Sequence, residues 1–253
     1  MKITFLGTGT STGVPEIGCH CEVCTSKDPR DKRFRTSALI EISGKNILID
    51  CGPDFRCQML ANDVSRVDAV LITHEHYDHV SGIDDLRPLA YKKSLKIYAE
   101  NNVATAIEKR MPYAFCQERA PGVVDAELVR IDENPFEILG VPITPIRLMH
   151  ANLPILGYRI GKLAYLTDLK YIPESEFEKL AGLDVLVIEA LHQYQHISHE
   201  TVDDALVNIA RIAPERAYLV HMSHRIGLHA EAQKALPELV FYAYDGLQLE
   251  IKE

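Results

Sequence analysis

The 253-residue chain has no apolar run approaching membrane-spanning length, which excludes a transmembrane helix. Its opening, MKITFLGTGT, carries one lysine and a very short apolar stretch before glycine, too little for a secretory leader. We read it as a first β-strand and expect a cytoplasmic protein. Basic residues are in deficit: 27 Lys and Arg against 36 Asp and Glu give a formal charge of −9. That balance disfavours broad binding to nucleic acid, which needs clustered Lys and Arg, while leaving room for a local basic groove. It says little about a buried site, where bound metal ions reverse the local field. Cysteine is sparse, with six in all, yet three fall in the stretch GCHCEVC. In a reducing compartment such a cluster points to ligands or reactive thiols rather than disulfides. No repeat, low-complexity segment or linker-like shift divides the chain, and we expect one domain over residues 1–253.

What is present suits a sizeable core, since 47% of the residues are hydrophobic. Strand-like runs recur: ITFLG, then ALIEI and ILID around a Ser-Gly-Lys-Asn turn. AVLIT, LKIYA, VPITPIRL, LGYRI, LAYLT, DVLVIEA, RAYLVH and LQLEI follow. Between them NNVATAIEKR, PESEFEKLAGL and SHETVDDALVNIARI read as helices. In the last, Ser198 or His199 sits at the entrance, and Ala205, Leu206, Ile209 and Ile212 form an apolar stripe. Early strands joined by short turns and later ones alternating with helices predict helix-covered sheets, an α/β or α+β layered domain.

The segment DAVLITHEHYDHVSG carries the densest chemistry. The apolar run ends in His74, His76, Asp78 and His79. On an extended strand exit His74 and His76 point the same way, and a turn near Tyr77 brings Asp78 and His79 round. One ion cannot easily use all four, whereas two adjacent ions can. Imidazole with carboxylate suits zinc, manganese or iron rather than calcium. The alternative, a polar loop that happens to be rich in histidine, leaves the strand context unexplained.

His-x-His-x-Asp-His after a strand resembles the signature of the metallo-β-lactamase superfamily. The resemblance implies a four-layer αβ/βα sandwich with metals at one edge of two sheets. It also implies three later ligands at strand ends, and His150, Asp168 and His221 each follow an apolar run in the required order. Alone, each would read as a structural histidine or a helix-capping aspartate. By the family pattern His74, His76 and His150 hold one metal, and Asp78, His79 and His221 hold the other. Asp168 bridges them. Two such ions would make a bridging hydroxide near neutral pH and attract an anionic phosphate ester. True β-lactamases of this fold commonly place a cysteine where this chain has Asp168. The opening LGTGTSTGVP, with Gly7, Gly9 and Gly13, resembles the phosphodiesterase-like branch, although a simple turn explains the glycines nearly as well. His199 matches in position a histidine that acts as general acid in related phosphodiesterases. A solvent-facing helix-entry residue is the plainer alternative, and His192 and His196 compete for the role.

The C-x-C-x-x-C of Cys19, Cys21 and Cys24 lacks the fourth ligand that structural zinc needs. Together with the late His221-x-x-His224 it resembles the PhnP-like cyclic phosphodiesterases, in which this set holds a structural zinc. The resemblance makes His224 the fourth ligand and residues 18–25 a zinc-binding loop, with His20 as the local competitor. Cys51, Cys57 and Cys116 have no ligand spacing. The expected function is hydrolysis of a small, cyclic phosphodiester by two divalent ions, manganese or zinc, with nickel or iron as further choices. Two alternatives stay open: a transfer-RNA-processing type of nuclease, and a non-hydrolytic protein like the PqqB group, which also has a cysteine cluster. The expected partner is a small-molecule phosphodiester rather than a membrane or nucleic acid. A homodimer is implied by the resemblance alone.

Overall fold

The computed structural model describes residues 1–91, 93–116 and 121–252. Two seven-stranded sheets stack face to face. The first contains β1 (Lys2–Gly7), β2 (Ser37–Ile42), β3 (Lys45–Ile49), β4 (Ala69–Leu71), β5 (Leu95–Glu100), β6 (Ala126–Ile131) and β14 (Gln248–Glu250), in the order β14-β1-β2-β3-β4-β5-β6. The second contains β7 (Phe136–Ile138), β8 (Val141–His150), β9 (Leu153–Ile160), β10 (Leu163–Leu166), β11 (Val185–Glu189), β12 (Arg216–Val220) and β13 (Val240–Tyr242), ordered β13-β12-β11-β10-β9-β8-β7. Each sheet joins an antiparallel half to a parallel half; hairpins make the antiparallel half of the second sheet, whereas in the first only β2 and β3 form one. In the first, β3 to β6 run parallel, and in the second, β10 to β13 do.

The strands bury both faces, and their side chains alternate between two apolar layers. Ile47, Ile49, Ala69, Leu71, Val185 and Val187 fill the space between the sheets. Leu48, Val70 and Ile72 point to the helices outside the first sheet, and Leu186 and Ile188 to those outside the second. This is the expected helix–sheet–sheet–helix layering. The β2–β3 hairpin turns on Ser43 and Gly44, both at positive φ (49° and 70°), as a two-residue turn of right-handed strands requires.

Two helical expectations are corrected. PESEFEKLAGL forms a 3₁₀ helix over Glu174–Leu180. Helix Val202–Ile212 is capped by Thr201, two or three residues later than expected. Thr201 Oγ1 accepts from the Asp204 amide, and Asp204 accepts from the Thr201 amide, a reciprocal box that Ser198 or His199 cannot form. The shift leaves His199 on the loop before the helix. β6, β7 and β13 were not expected from sequence; the latter two are three residues long, and β6 alternates with charged positions.

Candidate metal centre

The exits of β4, β10, β11 and β12, all parallel strands, converge on one edge of the sandwich, where an open α/β sheet presents its ligand-binding ends. His74 follows β4, Asp168 follows β10, Glu189 ends β11 and His221 follows β12. His150 ends β8 from the antiparallel half. Asp50, Asp168 and His221 hold φ of 61°, 57° and 60°, a left-handed conformation uncommon outside glycine. Three such residues at strand exits mark backbone held in place by its surroundings.

Asp50, at the exit of β3, organises the motif loop. Its Oδ1 accepts from the Thr73 amide at 2.8 Å, and its Oδ2 accepts from Thr73 Oγ1 at 2.8 Å and His79 Nδ1 at 2.7 Å. With its hydrogen given to Asp50, Thr73 Oγ1 accepts from His74 Nδ1 at 3.0 Å. Both contacts occupy Nδ1, so Nε2 of His74 and of His79 is turned toward the cluster. Close backbone packing holds the other side of the loop. A Cβ on Gly52 would lie 2.0 Å from the Asp78 carbonyl oxygen, so glycine is required there.

Around Asp168 the donors face one another without intervening protein. His79 Nε2 lies 3.1 Å from Asp168 Oδ2 and 3.2 Å from Asp78 Oδ2. His221 Nε2 lies 3.1 Å from Asp168 Oδ1 and 3.7 Å from Asp78 Oδ2. These four buried residues place one donor each within 4.8 Å of one another. On the other side His74 Nε2 is 4.0 Å from Asp168 Oδ1 and 3.0 Å from His76 Nδ1. The His150 ring is 5.8 Å from that of His74 and 5.1 Å from that of His76. The donors that close within 4.8 Å on this side are His150, Asp168 and His199.

The electrostatics favour a cation. Burial works against ionisation of Asp168 and Asp78, yet His221 and His79 hold Asp168, and His79 and His221 hold Asp78, well below the usual carboxylate range. Burial likewise opposes charge on His221, but Asp168, Asp78 and Glu189 push it up to about 10. His74 is driven well below its ordinary value by burial and by His79, and burial lowers His150 too. The ionised carboxylates and the neutral imidazoles of His74 and His150 are in the states that divalent metals bind. His221 and His79, both raised against burial by the carboxylates beside them, would give up a proton to a metal. Buried His150 Nδ1 and His221 Nε2 have no hydrogen-bond partner among the described residues. Such atoms are costly unless a ligand satisfies them, so the residues fit a metal centre.

Glu189, which sequence reasoning passed over, is fully buried behind this cluster. Its Oε1 lies 2.5 Å from His199 Nδ1 and 3.1 Å from His221 Nδ1. His199 therefore turns its other nitrogen toward the donors, with its ring 4.6 Å from His150 and 5.0 Å from His221. His196 stands one ring further out, 4.9 Å from His199, and His192 6.2 Å beyond it. Neither joins a donor group. A glutamate closing the buried run VLVIE, like an aspartate closing ILI, was the signal available for Glu189 and Asp50.

The second cluster lies near the same edge. Cys19, Cys21 and Cys24 place Sγ 3.2, 3.3 and 3.4 Å from His224 Nδ1, and the four donors close within 4.8 Å. Three thiolates and one imidazole match a closed structural zinc site. His20 is exposed and outside the group. His224 Nε2 faces Glu16 Oε2 at 3.5 Å, a carboxylate placed to orient the ring. The opening loop is tied to the β12 exit: Thr10 N donates to the Met222 carbonyl oxygen and Met222 N to that of Thr8. Gly7 and Gly9 serve this packing, because a Cβ on either would collide with residues 33–35.

A family model described as the β-lactamase superfamily domain matches residues 45–222. The chain belongs to this superfamily. It adopts the metallo-β-lactamase fold, which implies divalent metal ions. It is 37% identical to a diphosphatase of the PhnP family, covering 98% of this chain and 96% of that one, with a TM-score of 0.92. Zinc-bound PqqB from Methylobacterium extorquens shares the fold at 20% identity and a TM-score of 0.80, over 99% of this chain and all of that one. A Porphyromonas gingivalis protein named octanoyltransferase is 46% identical over the whole chain. The chain spans only about half of that relative, 52% of its length.

Proposed function

We propose that this superfamily member is a dinuclear-metal phosphodiesterase acting on a small, cyclic phosphate diester. The observation that carries the reading is Asp168, whose two oxygens face His79 on one side and His221 and His74 on the other. Asp78, His79 and His221 would hold one ion, His74, His76 and His150 the other, and Asp168 both. Manganese or zinc suits these donors, with nickel or iron as further choices. When bound, two such ions supply charge for a phosphate and lower the pKa of water near them.

The protein's own residues provide the rest. Asp50 and Thr73 fix the tautomers of His79 and His74, so both present Nε2. Glu189 lies against His199 Nδ1 and orients the ring, and His199 would give a proton to the departing oxygen. Cys19, Cys21, Cys24 and His224 would hold a structural zinc that braces the loop against the β12 exit. We place the protein in the cytoplasm, where those thiols stay reduced, and infer a homodimer. No helix among the described residues is long and apolar enough to cross a membrane.

Octanoyl transfer is better assigned to the half of the Porphyromonas gingivalis relative outside the match. None of the six cysteines joins the donors around Asp168, and burial pushes the Cys51 thiol well up. Metal analysis paired with assays on cyclic phosphates, bis-aryl phosphodiesters and precursor transfer RNA tests the reading. The expected result is about two catalytic ions and one zinc per chain, with turnover of the small diesters. Absence of diester turnover with manganese, zinc and nickel each supplied overturns it.

A further inference from the structure

The cysteine cluster has a property that zinc binding alone does not call for: its thiols differ sharply in exposure. Cys21 is exposed, Cys19 half-buried and Cys24 buried. Cys21 stands just ahead of the short helix Glu22–Thr25, and Cys24 lies within it, its amide donating to Cys21 Sγ at 3.5 Å. Their sulfurs lie within 4.8 Å of one another and of the other two donors. An open sulfur held beside a shielded one is the arrangement in which an oxidised thiol is met at once by a second. A cavity of about 430 Å³ also reaches Cys19 and His224, which leaves room for a small oxidant on that flank. Cys57 and Cys116 are exposed as well, yet neither joins a donor group among the described residues.

The loop that carries these thiols has only a small core of its own. Val14, Val23 and Cys24 form it, with Cys19 and Leu228 packed against them, so two of the ligating residues are themselves part of that core. His224 follows His221 closely, and Met222 between them exchanges backbone hydrogen bonds with Thr8 and Thr10 of the opening loop. Ser223 N donates to the Leu191 carbonyl oxygen, just beyond Glu189. Losing ligation at Cys21 and Cys24 therefore loosens a segment tied directly to the β12 exit.

We propose that Cys21 and Cys24 are a peroxide-sensitive pair whose oxidation to a disulfide expels the zinc and unfastens the opening loop from the β12 exit. The zinc is the one assigned above, and no step draws on the reaction at the metal pair. The Cys21 thiolate attacks hydrogen peroxide; an S–O bond forms as the O–O bond breaks, and hydroxide leaves. The Cys24 thiolate then attacks that sulfur, the S–S bond forms, and the sulfenic oxygen departs as a second hydroxide. Two protons from solvent turn both hydroxides into water, so each sulfur loses one electron and one peroxide gains two. Cys19 and His224 remain, two donors where structural zinc needs four.

The test exposes wild type carrying its zinc to hydrogen peroxide. A chromogenic chelator reads released zinc, and alkylation with peptide mass spectrometry maps the thiols. One zinc per chain should appear together with a Cys21–Cys24 disulfide, and dithiothreitol with added zinc should reverse both. Hydrogen exchange should rise over residues 8–24 and 221–226 and not in β4 or β5. Cys21→His keeps four donors in a two-sulfur, two-imidazole set that structural zinc also accepts, and should hold its zinc through the same exposure. Cys57→Ser should behave as wild type. Zinc retained with both thiols free, a disulfide between any other pair, or release from Cys21→His at the wild-type rate overturns the pair. Should Cys21→His bind no zinc, the wild-type mapping decides alone. If the starting protein carries no such zinc yet forms the Cys21–Cys24 bridge, the zinc assignment falls and the redox pair stands.

Discussion

Replacing Glu189 by glutamine tests the reasoning about the site most directly. The carboxylate is fully buried, and one of its oxygens serves both His199, at 2.5 Å, and His221, at 3.1 Å. Glutamine keeps the shape and one acceptor but removes the charge that supports a protonated His199. A hydrogen bond to a charged group contributes roughly 1.5–3 kcal/mol, so kcat should fall about 10- to 100-fold. The fall should depend on the leaving group. An alkyl ester needs its departing oxygen protonated and should suffer the full loss, whereas a 4-nitrophenyl ester leaves as a stable anion and should lose much less. Metal content, measured in parallel, should be retained. An equal loss on both esters would show that Glu189 acts only through His221 and the donor cluster. Unchanged turnover of the alkyl ester would refute the proton-transfer role given to His199.

Further outcomes follow from other contacts. His199→Ala should abolish turnover of poor-leaving-group esters while elemental analysis finds the metals still bound. Cys21→Ser should release one zinc per chain and lower the melting temperature, with His74, His76 and Asp78 chemically intact. Gly52→Ala places a methyl against the Asp78 carbonyl oxygen and should cost about 1–3 kcal/mol by calorimetry. His229 is buried against Arg33, and burial followed by that guanidinium lowers it to about 4. The folded state thus resists a proton that the unfolded chain takes up near its ordinary value of 6.5. The associated stability is complete above that value and falls as pH drops toward 4, by about 2 kcal/mol between pH 7 and pH 5. Urea unfolding of wild type and His229→Gln at both pH values should show the difference, and identical pH dependence would refute it.

Much of this site could be read from sequence because the fold places donors at strand exits, where an apolar run followed by histidine or aspartate is visible. His74, Asp168 and His221 each had that form. The cysteine cluster needed only its late partner, which the resemblance to the PhnP-like proteins supplied as His224. The supporting carboxylates were harder to see. Asp50 and Glu189 act through a histidine rather than by joining a motif, and their partners lie 29 and 10 residues away in sequence. Short edge strands escaped because β7 and β13 are too brief for a period of two to emerge. The helix entrance was misplaced because Ser198, His199 and Thr201 all suit a cap, and only Thr201 has Asp204 three residues on to complete the box.

The cysteine cluster also bears on the order in which the chain is made. Cys24 and His224 are 200 residues apart, and β1 has β14, from the last few residues, as its outer neighbour. A ribosome therefore releases three thiols long before their imidazole, and the first strand before the strand that covers its edge. Cysteine donors held together that early are open to oxidation or to the wrong metal. Closure of the cluster by all four donors waits for both segments, so a fully ligated cluster certifies that the opening loop and the β12 exit have met.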